Sequence, residues 1–144
     1  MGNFYNYSKG VGNVGSYQIS GIPYATSSVT VAAAGSSPTE ISFPHVTKFV
    51  TISNTNTGAN VPLRFGFSAL GVTGSVNAGG ADGNNYYFTL DNGDSYTGEF
   101  RITSLYLLSD TAATETSASI VAGLTGIATK ELPGPNWSGS VGVG

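Results

Sequence analysis

The most regular pattern along the chain is an alternation of apolar and polar positions in short segments. In LRFGFSA, residues 63–69, every second residue is apolar and the residues between them are polar or small. The same parity runs through residues 86–90 and 118–124. A period of two places alternate side chains on opposite faces of a strand, so one face is buried and the other exposed. These three segments are therefore predicted to be strands of about five to seven residues.

Five further segments are rich in β-branched and aromatic residues, a composition that favours strands even where the alternation is less regular. These segments are residues 17–24, 28–33, 40–43, 46–53 and 99–109. The stretches between the strands are crowded with Gly, Asn, Asp, Ser and Pro, which turns require. Apolar residues at the helical spacings of three and four are not sustained over a long interval. The predicted fold class is all-β.

Antiparallel strands of this number and length predict a two-sheet sandwich of the jelly-roll type, and a closed barrel is the alternative. The sandwich is favoured because the predicted connections are uneven, from Pro44 alone to the long loop over residues 71–85. Up-and-down barrels use short, even hairpins. The predicted organisation is a flexible N-terminal arm over residues 1–15, an eight-stranded antiparallel single jelly roll over 16–130, and a flexible tail rich in Gly, Ser and Pro over 131–144.

The composition of the chain disfavours several kinds of partner and of site. Charged residues make up 9% of the 144 residues, the formal net charge is −3, and the five basic residues are scattered along the sequence. A protein that holds nucleic acid needs a basic face for the phosphates, so direct nucleic-acid binding is not expected. Cysteine is absent, which excludes disulfides and zinc-finger spacings. The apolar clusters are far shorter than the roughly 20 residues of a membrane-spanning helix, so no membrane span is expected.

The stretch GVGNVG, residues 10–15, matches the G-x-G-x-x-G template of dinucleotide-binding loops. A working loop of this kind follows a buried strand and opens a helix whose amides hold a pyrophosphate. Here the preceding residues are polar, and residues 16–20 alternate like a strand. The stretch is therefore interpreted as part of a glycine-rich arm, and no cofactor is predicted.

Candidate catalytic and metal-binding residues are few. His45 is the only histidine, and Ser68 is predicted to lie within a strand and lacks the closing glycine of a G-x-S-x-G elbow. The acidic turn over residues 91–94, with Glu99 beyond it, departs from the calcium-loop pattern, which leaves calcium binding as a minor alternative. No catalytic residue and no metal ligand is predicted, and the chain is not expected to be an enzyme.

Aromatic residues also occur near both ends of the chain, outside the predicted strands. Aromatics in glycine-rich segments have no core of their own and often anchor such segments on another surface. The alternative is that the two terminal segments fold back on their own domain. The predicted interface residues are Phe4, Tyr5, Tyr7 and Trp137.

Five segments, taken in order, resemble a known family. They are VTKFVTISNTN at residues 46–56, LRFGFSALGV at 63–72, YYFTLDNGDS at 86–95, RITSLYLLSD at 101–110 and SIVAGLTGI at 119–127. Together they resemble the single jelly-roll penton proteins of large icosahedral double-stranded DNA viruses, the group that includes phycodnaviruses and relatives of mimivirus.

The resemblance implies a structural role in a virion. A penton of this family is a homopentamer at the fivefold vertices of the capsid, where it contacts neighbouring major capsid proteins and minor capsid proteins. It implies location at the capsid vertex, after assembly in the host cytoplasm. Two other classes of protein remain as alternatives: a carbohydrate-binding or virion-decoration jelly-roll module, and a small β-sandwich enzyme.

Overall fold

Eight antiparallel strands carry the fold in the computed structural model, which describes residues 9–18, 21–73 and 85–132. The strands are β1 (Ile22–Val31), β2 (Thr39–Ser42), β3 (His45–Asn54), β4 (Leu63–Gly66), β5 (Phe88–Leu90), β6 (Ser95–Gly98), β7 (Ser104–Ser109) and β8 (Thr116–Ala128). Three short helical segments accompany them: α1 (Gly15–Gln18), α2 (Ala69–Thr73) and a 3₁₀ turn (Thr129–Glu131). The predicted all-β class is confirmed.

The strands form two four-stranded sheets. The first sheet has the order β1-β8-β3-β6, and the second has the order β2-β7-β4-β5. Along the chain the first strand pairs with the last, the second with the seventh, the third with the sixth and the fourth with the fifth. This is the pairing of one long hairpin rolled into a sandwich, which is the jelly-roll arrangement that the sequence predicts.

One hydrophobic core lies between the two sheets, because alternate residues of each strand point inward. On β8, Ala118 and Ile120 are fully buried, and Ile52 of β3 lies opposite Ile120 in the register. The second sheet contributes Leu63 and Leu105, which are also fully buried. The remaining buried core residues are Val31, Ile41, Phe43, Val50, Phe65, Leu90, Ile102, Leu107, Ala122 and Leu124.

The beginning of the domain differs from the prediction. Residues 17–24 and 28–33 were predicted to be two strands, but β1 is a single strand with a register shift between Thr26 and Val29. Ser28 has a φ of 55°, so the chain bulges there and then resumes pairing with β8. The predicted break between these two strands is therefore a β-bulge within one strand.

The end of the predicted strand over residues 99–109 is correct and its beginning is wrong. The strand β7 begins at Ser104, and β6 at residues 95–98 was interpreted as a loop. The residues between β6 and β7 bond to β3: the Ile102 amide donates to Thr47 Oγ1 at 3.1 Å, and the Thr47 amide donates to the Ile102 carbonyl at 3.0 Å. Thr47 lies at an irregularity of β3. Residues 99–103, which lead from the first sheet to the second, are therefore hydrogen-bonded to the first sheet at this position.

The predicted strand over residues 63–69 ends at Gly66, and α2 follows. Ser68 accepts a hydrogen bond from the Gly71 amide at 3.1 Å, so its hydroxyl caps α2 instead of lying within a strand. A Cβ on Gly66 would lie 2.7 Å from Val72 Cγ2. The glycine therefore lets α2 fold back onto the outer side of the second sheet.

The sandwich has two ends. At the end that we call the terminal end, the described chain begins and finishes, and the described parts of three links between strands lie there: residues 43–44, residues 67–73 with 85–87, and residues 99–103. At the opposite end, which we call the loop end, lie the links 32–38, 55–62, 91–94 and 110–115. Residues 1–8 and 133–144 lie outside the described residues, so the predicted arm and tail stay predictions.

Candidate interaction surfaces

The outer face of the first sheet, which we call the open face, is uncharged between its two ends. The strand register sets Ala25, Val121, Thr51 and Thr97 in one row across all four strands. Of the four strands of this sheet, β1, β6 and β8 carry no charged residue, and the one charged residue of β3 is Lys48, which lies at the strand's irregularity towards the terminal end. The outward-pointing positions of the sheet include Pro23, Ala25, Phe49, Thr51, Ser53, Ser95, Thr97, Ser119 and Val121.

The β3–β6 half of the open face is lined with hydroxyl groups that satisfy each other. Thr51 Oγ1 and Thr97 Oγ1 are 2.8 Å apart, and Ser53 Oγ and Ser95 Oγ are also 2.8 Å apart. A polar group that already has a partner costs less to remove from water than one that would be left unpaired. This half is therefore polar in composition, but its removal from water would leave these four hydroxyl groups hydrogen-bonded.

The other half of the open face is mainly apolar, and we call it the apolar half: Pro23 and Ala25 of β1, Val121 of β8, and Phe49, which lies on β3 beside β8. Val121 is 47% exposed in the middle of β8. The Phe49 ring extends over Gly123, where a Cβ would lie 2.3 Å from the ring. Single exposed apolar residues are ordinary, whereas a contiguous apolar patch is typical of a contact surface.

Exposed aromatic rings close one side of the sandwich, where the edge strands β5 and β6 lie; we call this group the aromatic edge, made of Tyr86, Phe88 and Tyr96. Their exposed fractions are 56%, 57% and 39%. The Phe88 and Tyr96 rings lie 5.9 Å apart, and both pack on Phe65, at 5.7 and 5.5 Å. Tyr96 also stacks on Phe100 at 6.3 Å. The edge is thus a rigid aromatic cluster with its outer rings in solvent.

An open depression of about 310 Å³ lies beside this edge. It is lined by residues 65–67 and 85–88, which include the Tyr86, Tyr87 and Phe88 side chains. Aromatic walls of this kind can hold a flat apolar or amphipathic group.

The β4–β7 part of the outer face of the second sheet, which we call the covered face, lies beneath α2, while Glu40 and Ser42 of β2 are exposed on the same side. Leu108 of β7 points outward, since its neighbour Leu107 belongs to the core, yet Leu108 is fully buried. The helix α2 packs against β4 and β7, and its Gly71 and Val72 are buried. The chain itself therefore supplies the cover of this face.

Arg64 of β4 links the second sheet to α2 and to Asp110. Its side chain is 4% exposed, and its Nε donates to Asp110 Oδ1 at 2.6 Å. Its Nη1 donates to the carbonyls of Val72 at 3.3 Å and Thr73 at 2.9 Å, and its guanidinium lies 4.4 Å from the centre of the Tyr87 ring. The charge is thus neutralised and hydrogen-bonded within the chain, as a buried guanidinium requires.

The two ends of the sandwich differ in charge. Lys9, Lys48, Arg101 and Lys130, four of the five basic residues, lie at the terminal end with Glu99 and Glu131. A pocket of about 200 Å³ there is lined by Tyr17, Lys48, Glu99 and Arg101. The acidic residues of the loop end are Asp91, Asp94, Asp110 and Glu115. The fold therefore brings together basic residues that are distant in sequence, and mixes carboxylates among them.

The predicted interface residues Phe4, Tyr5, Tyr7 and Trp137 lie outside the described residues. The first described residue, Lys9, and the last one, Leu132, both pack against the terminal end of the sandwich. Both terminal segments therefore continue from the same end as the basic residues.

The GVGNVG stretch forms a turn against the terminal end. The Asn13 amide donates to the Gly10 carbonyl at 3.1 Å, and the Tyr17 hydroxyl donates to the Val11 carbonyl at 3.0 Å. The predicted strand is wrong at Tyr17 and Gln18, because α1 runs from Gly15 to Gln18, while residues 19 and 20 lie outside the described residues. Val11 and Tyr17 pack on a small cluster of Val46, Ile127 and Leu132. The stretch thus has a structural role in closing this end of the sandwich.

The acidic turn after β5 is used to join two loops. Asp91 Oδ1 accepts a hydrogen bond from Asn60 Nδ2 at 3.1 Å, and Asn92 Oδ1 accepts one from the Val61 amide at 3.0 Å. Glu99 lies beyond β6, at the terminal end. Within residues 9–18, 21–73 and 85–132, no three His, Asp or Glu side chains are grouped so that they could hold a metal ion.

No protein-family model matches the sequence, and no match was found among curated proteins. In the part of the chain that is described, no helix has the length and hydropathy to cross a membrane. The surfaces above are therefore the evidence on which a function rests.

The aromatic edge and the open face were not predicted as sites. The sequence carries a signal for the open face: no charged residue occurs between Lys9 and Glu40 or between Glu115 and Lys130, and these stretches supply β1 and β8. Phe88 gave no such signal, because its position in the alternation is that of a core residue.

Proposed function

We propose that this chain is a structural subunit of an icosahedral capsid, a penton that forms a homopentamer at the fivefold vertex. The observation that carries the proposal is a jelly roll with two separate uncharged surfaces, the open face and the aromatic edge. A subunit of a cyclic ring needs two different surfaces, one for each neighbour. The resemblance of the five sequence segments to jelly-roll pentons supports the same role.

The terminal end supports contacts with other shell proteins. The terminal segments, with Phe4, Tyr5, Tyr7 and Trp137, continue from this end, where the basic residues are also grouped. Aromatic anchors on a segment that leaves one end of a subunit suit attachment to the major and minor capsid proteins around a vertex. On this proposal the protein acts through shape and contact, at the capsid vertex, with no cofactor.

The test is a density map, averaged about the fivefold axis, of icosahedral particles that contain the chain. The expected result is five copies of the sandwich around each fivefold axis. Particles that carry the chain at other positions, or vertices built from a different protein, would contradict the proposal.

A truncation tests the role of the N-terminal segment. Removal of residues 1–8 leaves Val11 and Tyr17 in their contacts, so the melting temperature should change little, while incorporation at the vertex should fall. A matched variant keeps the length and replaces Phe4, Tyr5 and Tyr7 by serine. If both variants are incorporated as well as the intact chain, the segment does not anchor the vertex.

A carbohydrate-binding module is the second candidate, and the aromatic depression beside β5 favours it. Saturable binding to a glycan array, lost in Tyr86→Ala and retained after removal of residues 1–8, would support this candidate over the penton. Tyr86→Ala is a suitable probe because Tyr86 is 56% exposed and its loss leaves the core intact.

A further inference from the structure

We infer that the aromatic edge of one copy packs on the apolar half of the open face of a second copy, which makes the contact that closes the ring. This inference rests on the proposed function and names the two surfaces that would meet. The aromatic edge supplies Tyr86, Phe88 and Tyr96, and the apolar half supplies Pro23, Ala25, Phe49 and Val121.

The charge distribution favours a second copy as the partner. The charges of the described residues lie mainly at the two ends of the sandwich, and Arg64 is neutralised by Asp110. Copies that stand side by side with their strands parallel would therefore bury neither a lysine nor a carboxylate between edge and face. Burying a charge without a partner costs several kcal/mol, so a surface with no charge is suited to a partner that also has none.

The hydration of the two surfaces favours the same contact. On the open face the hydroxyls nearest the apolar half are already paired across the strands, at 2.8 Å for Thr51 and Thr97. On the aromatic edge the Phe88 and Tyr96 rings pack on Phe65, and Tyr96 also stacks on Phe100, so these two rings lose little side-chain freedom on contact. Rigid aromatic anchors on a surface that gives up water easily are typical of the centre of an interface.

The directions of the two surfaces fit a small ring. A closed ring of five copies needs two contact directions about 108° apart on each copy. The aromatic edge points sideways out of the sandwich, and the open face points along the normal to the first sheet, which is roughly a right angle away. The apolar half lies on the β1 side, far from β6, so the angle is opened beyond a right angle. The contact is heterologous, since edge meets face and neither meets its own kind.

The size of the open face sets the expected strength. Four strands about 4.8 Å apart, over about seven residues that rise about 3.3 Å each, present about 440 Å² in projection, and the apolar half presents about half of that. A stable interface removes about 800 Å² per partner. A single contact is therefore expected to be weak, and ring closure, in which each copy makes two contacts, strengthens it.

Cysteine cross-linking tests the contact in the full chain, which has no cysteine of its own. Thr89→Cys marks the aromatic edge and Ala25→Cys marks the apolar half; both positions are exposed and all the rings remain. With a short bis-maleimide at high protein concentration, the double variant is expected to give covalent oligomers that end at five copies. Each single variant alone is expected to give no cross-linked dimer, because edge meets face only.

Two outcomes would overturn the inference. Efficient dimers from Thr89→Cys alone would mean that two edges meet, and an uncross-linked double variant at the highest soluble concentration would mean that these surfaces do not meet. Added charge is the second measurement: Val121→Lys in the double variant should lower the cross-linked fraction roughly tenfold or more. Thr114→Lys, which adds the same charge at the loop end, should leave it unchanged. An equal fall of the cross-linked fraction in both lysine variants would mean that the cross-links come from random collisions between copies and would overturn the inference.

The two proposals fail separately. Cross-linked rings from the purified chain, together with particles that lack the chain at their vertices, would sink the capsid function and keep the contact. Five copies at the vertex whose map shows other surfaces in contact would keep the function and sink the inference.

Discussion

The outer faces of the two sheets are built from similar alternating strands, and yet they differ in what covers them. The covered face carries α2 and holds Arg64 against Asp110 at 2.6 Å. Within the described residues the open face has neither such a cover nor a buried charge, and its hydroxyls pair with one another across the strands. Where the chain supplies its own cover, it can bury a charge because it also supplies the counter-charge. On the proposed function a second copy covers the open face, and the lack of a buried charge there removes the need for a counter-charge.

The largest expected effect comes from the same substitution on each face. Leu108→Lys places an ammonium beneath α2 at a fully buried position, so the free energy of unfolding should fall by more than about 4 kcal/mol. Val121→Lys on the open face adds its charge at a position that is 47% exposed, and should cost less than about 1 kcal/mol. Urea unfolding followed by circular dichroism measures both. Comparable losses would show that the two faces are equally buried in the isolated chain.

Arg64→Ala tests how the cover is held. It removes the ion pair, two hydrogen bonds to α2 carbonyls and the contact with the Tyr87 ring. The remaining Asp110 side chain is 36% exposed and can be hydrated, so the expected loss is about 2–3 kcal/mol of unfolding free energy. Arg101→Ala at the exposed terminal end is the control and should cost less than about 1 kcal/mol. A loss for Arg64→Ala no greater than that of the control would mean that α2 is held by its apolar contacts.

The strands with a buried face could be predicted from the sequence, and the short connecting elements could not. The number of strands is correct because two errors offset each other: β1 was predicted as two strands with a break at residues 25–27, and β6 was missed. The strand β6 is four residues long, lies at an edge and carries Tyr96 as its one large apolar residue, so its alternation is too brief to stand out.

The interaction surfaces could be predicted less well, because they depend on which strands become neighbours. The lack of charge in β1 and β8 is visible in the sequence, but these strands form one face only through their pairing in the first sheet. Phe88 follows the parity of a core residue, and it is exposed because β5 is the last strand of its sheet. The helix α2 has a serine cap at Ser68 that was visible, but five residues are too few for a helical period.

A smaller loss of stability is expected from adding one methyl group to a glycine on the outer side of each sheet. In Gly66→Ala the new Cβ would lie 2.7 Å from Val72 Cγ2 and 2.9 Å from the Tyr86 carbonyl oxygen. Because a backbone atom cannot move aside cheaply, the expected loss is about 2 kcal/mol. In Gly123→Ala the clash is with the Phe49 ring, which lies on the open face and can swing toward solvent, so the expected loss is about 1 kcal/mol. Thermal unfolding of both variants gives the order, and a reversed order would mean that Phe49 is held more firmly than α2.

The smallest expected effect is a pH dependence of the stability, which comes from Tyr106 and Glu40 on the outer side of the second sheet. Partial burial raises the pKa of Tyr106 above its ordinary value near 10, and the neighbouring Glu40 carboxylate, 3.4 Å from the hydroxyl, raises that pKa further. Because the pKa is raised in the folded chain, this contribution to stability is complete below pH 10 and is lost as the pH rises through the folded pKa. Tyr106→Phe should therefore lose less stability than the intact chain as the pH rises above about 10. Tyr86→Phe, which removes a phenol from the aromatic edge, controls for the loss of one titrating group. The same pH profile in both variants would mean that Glu40 and Tyr106 are too well hydrated to be coupled.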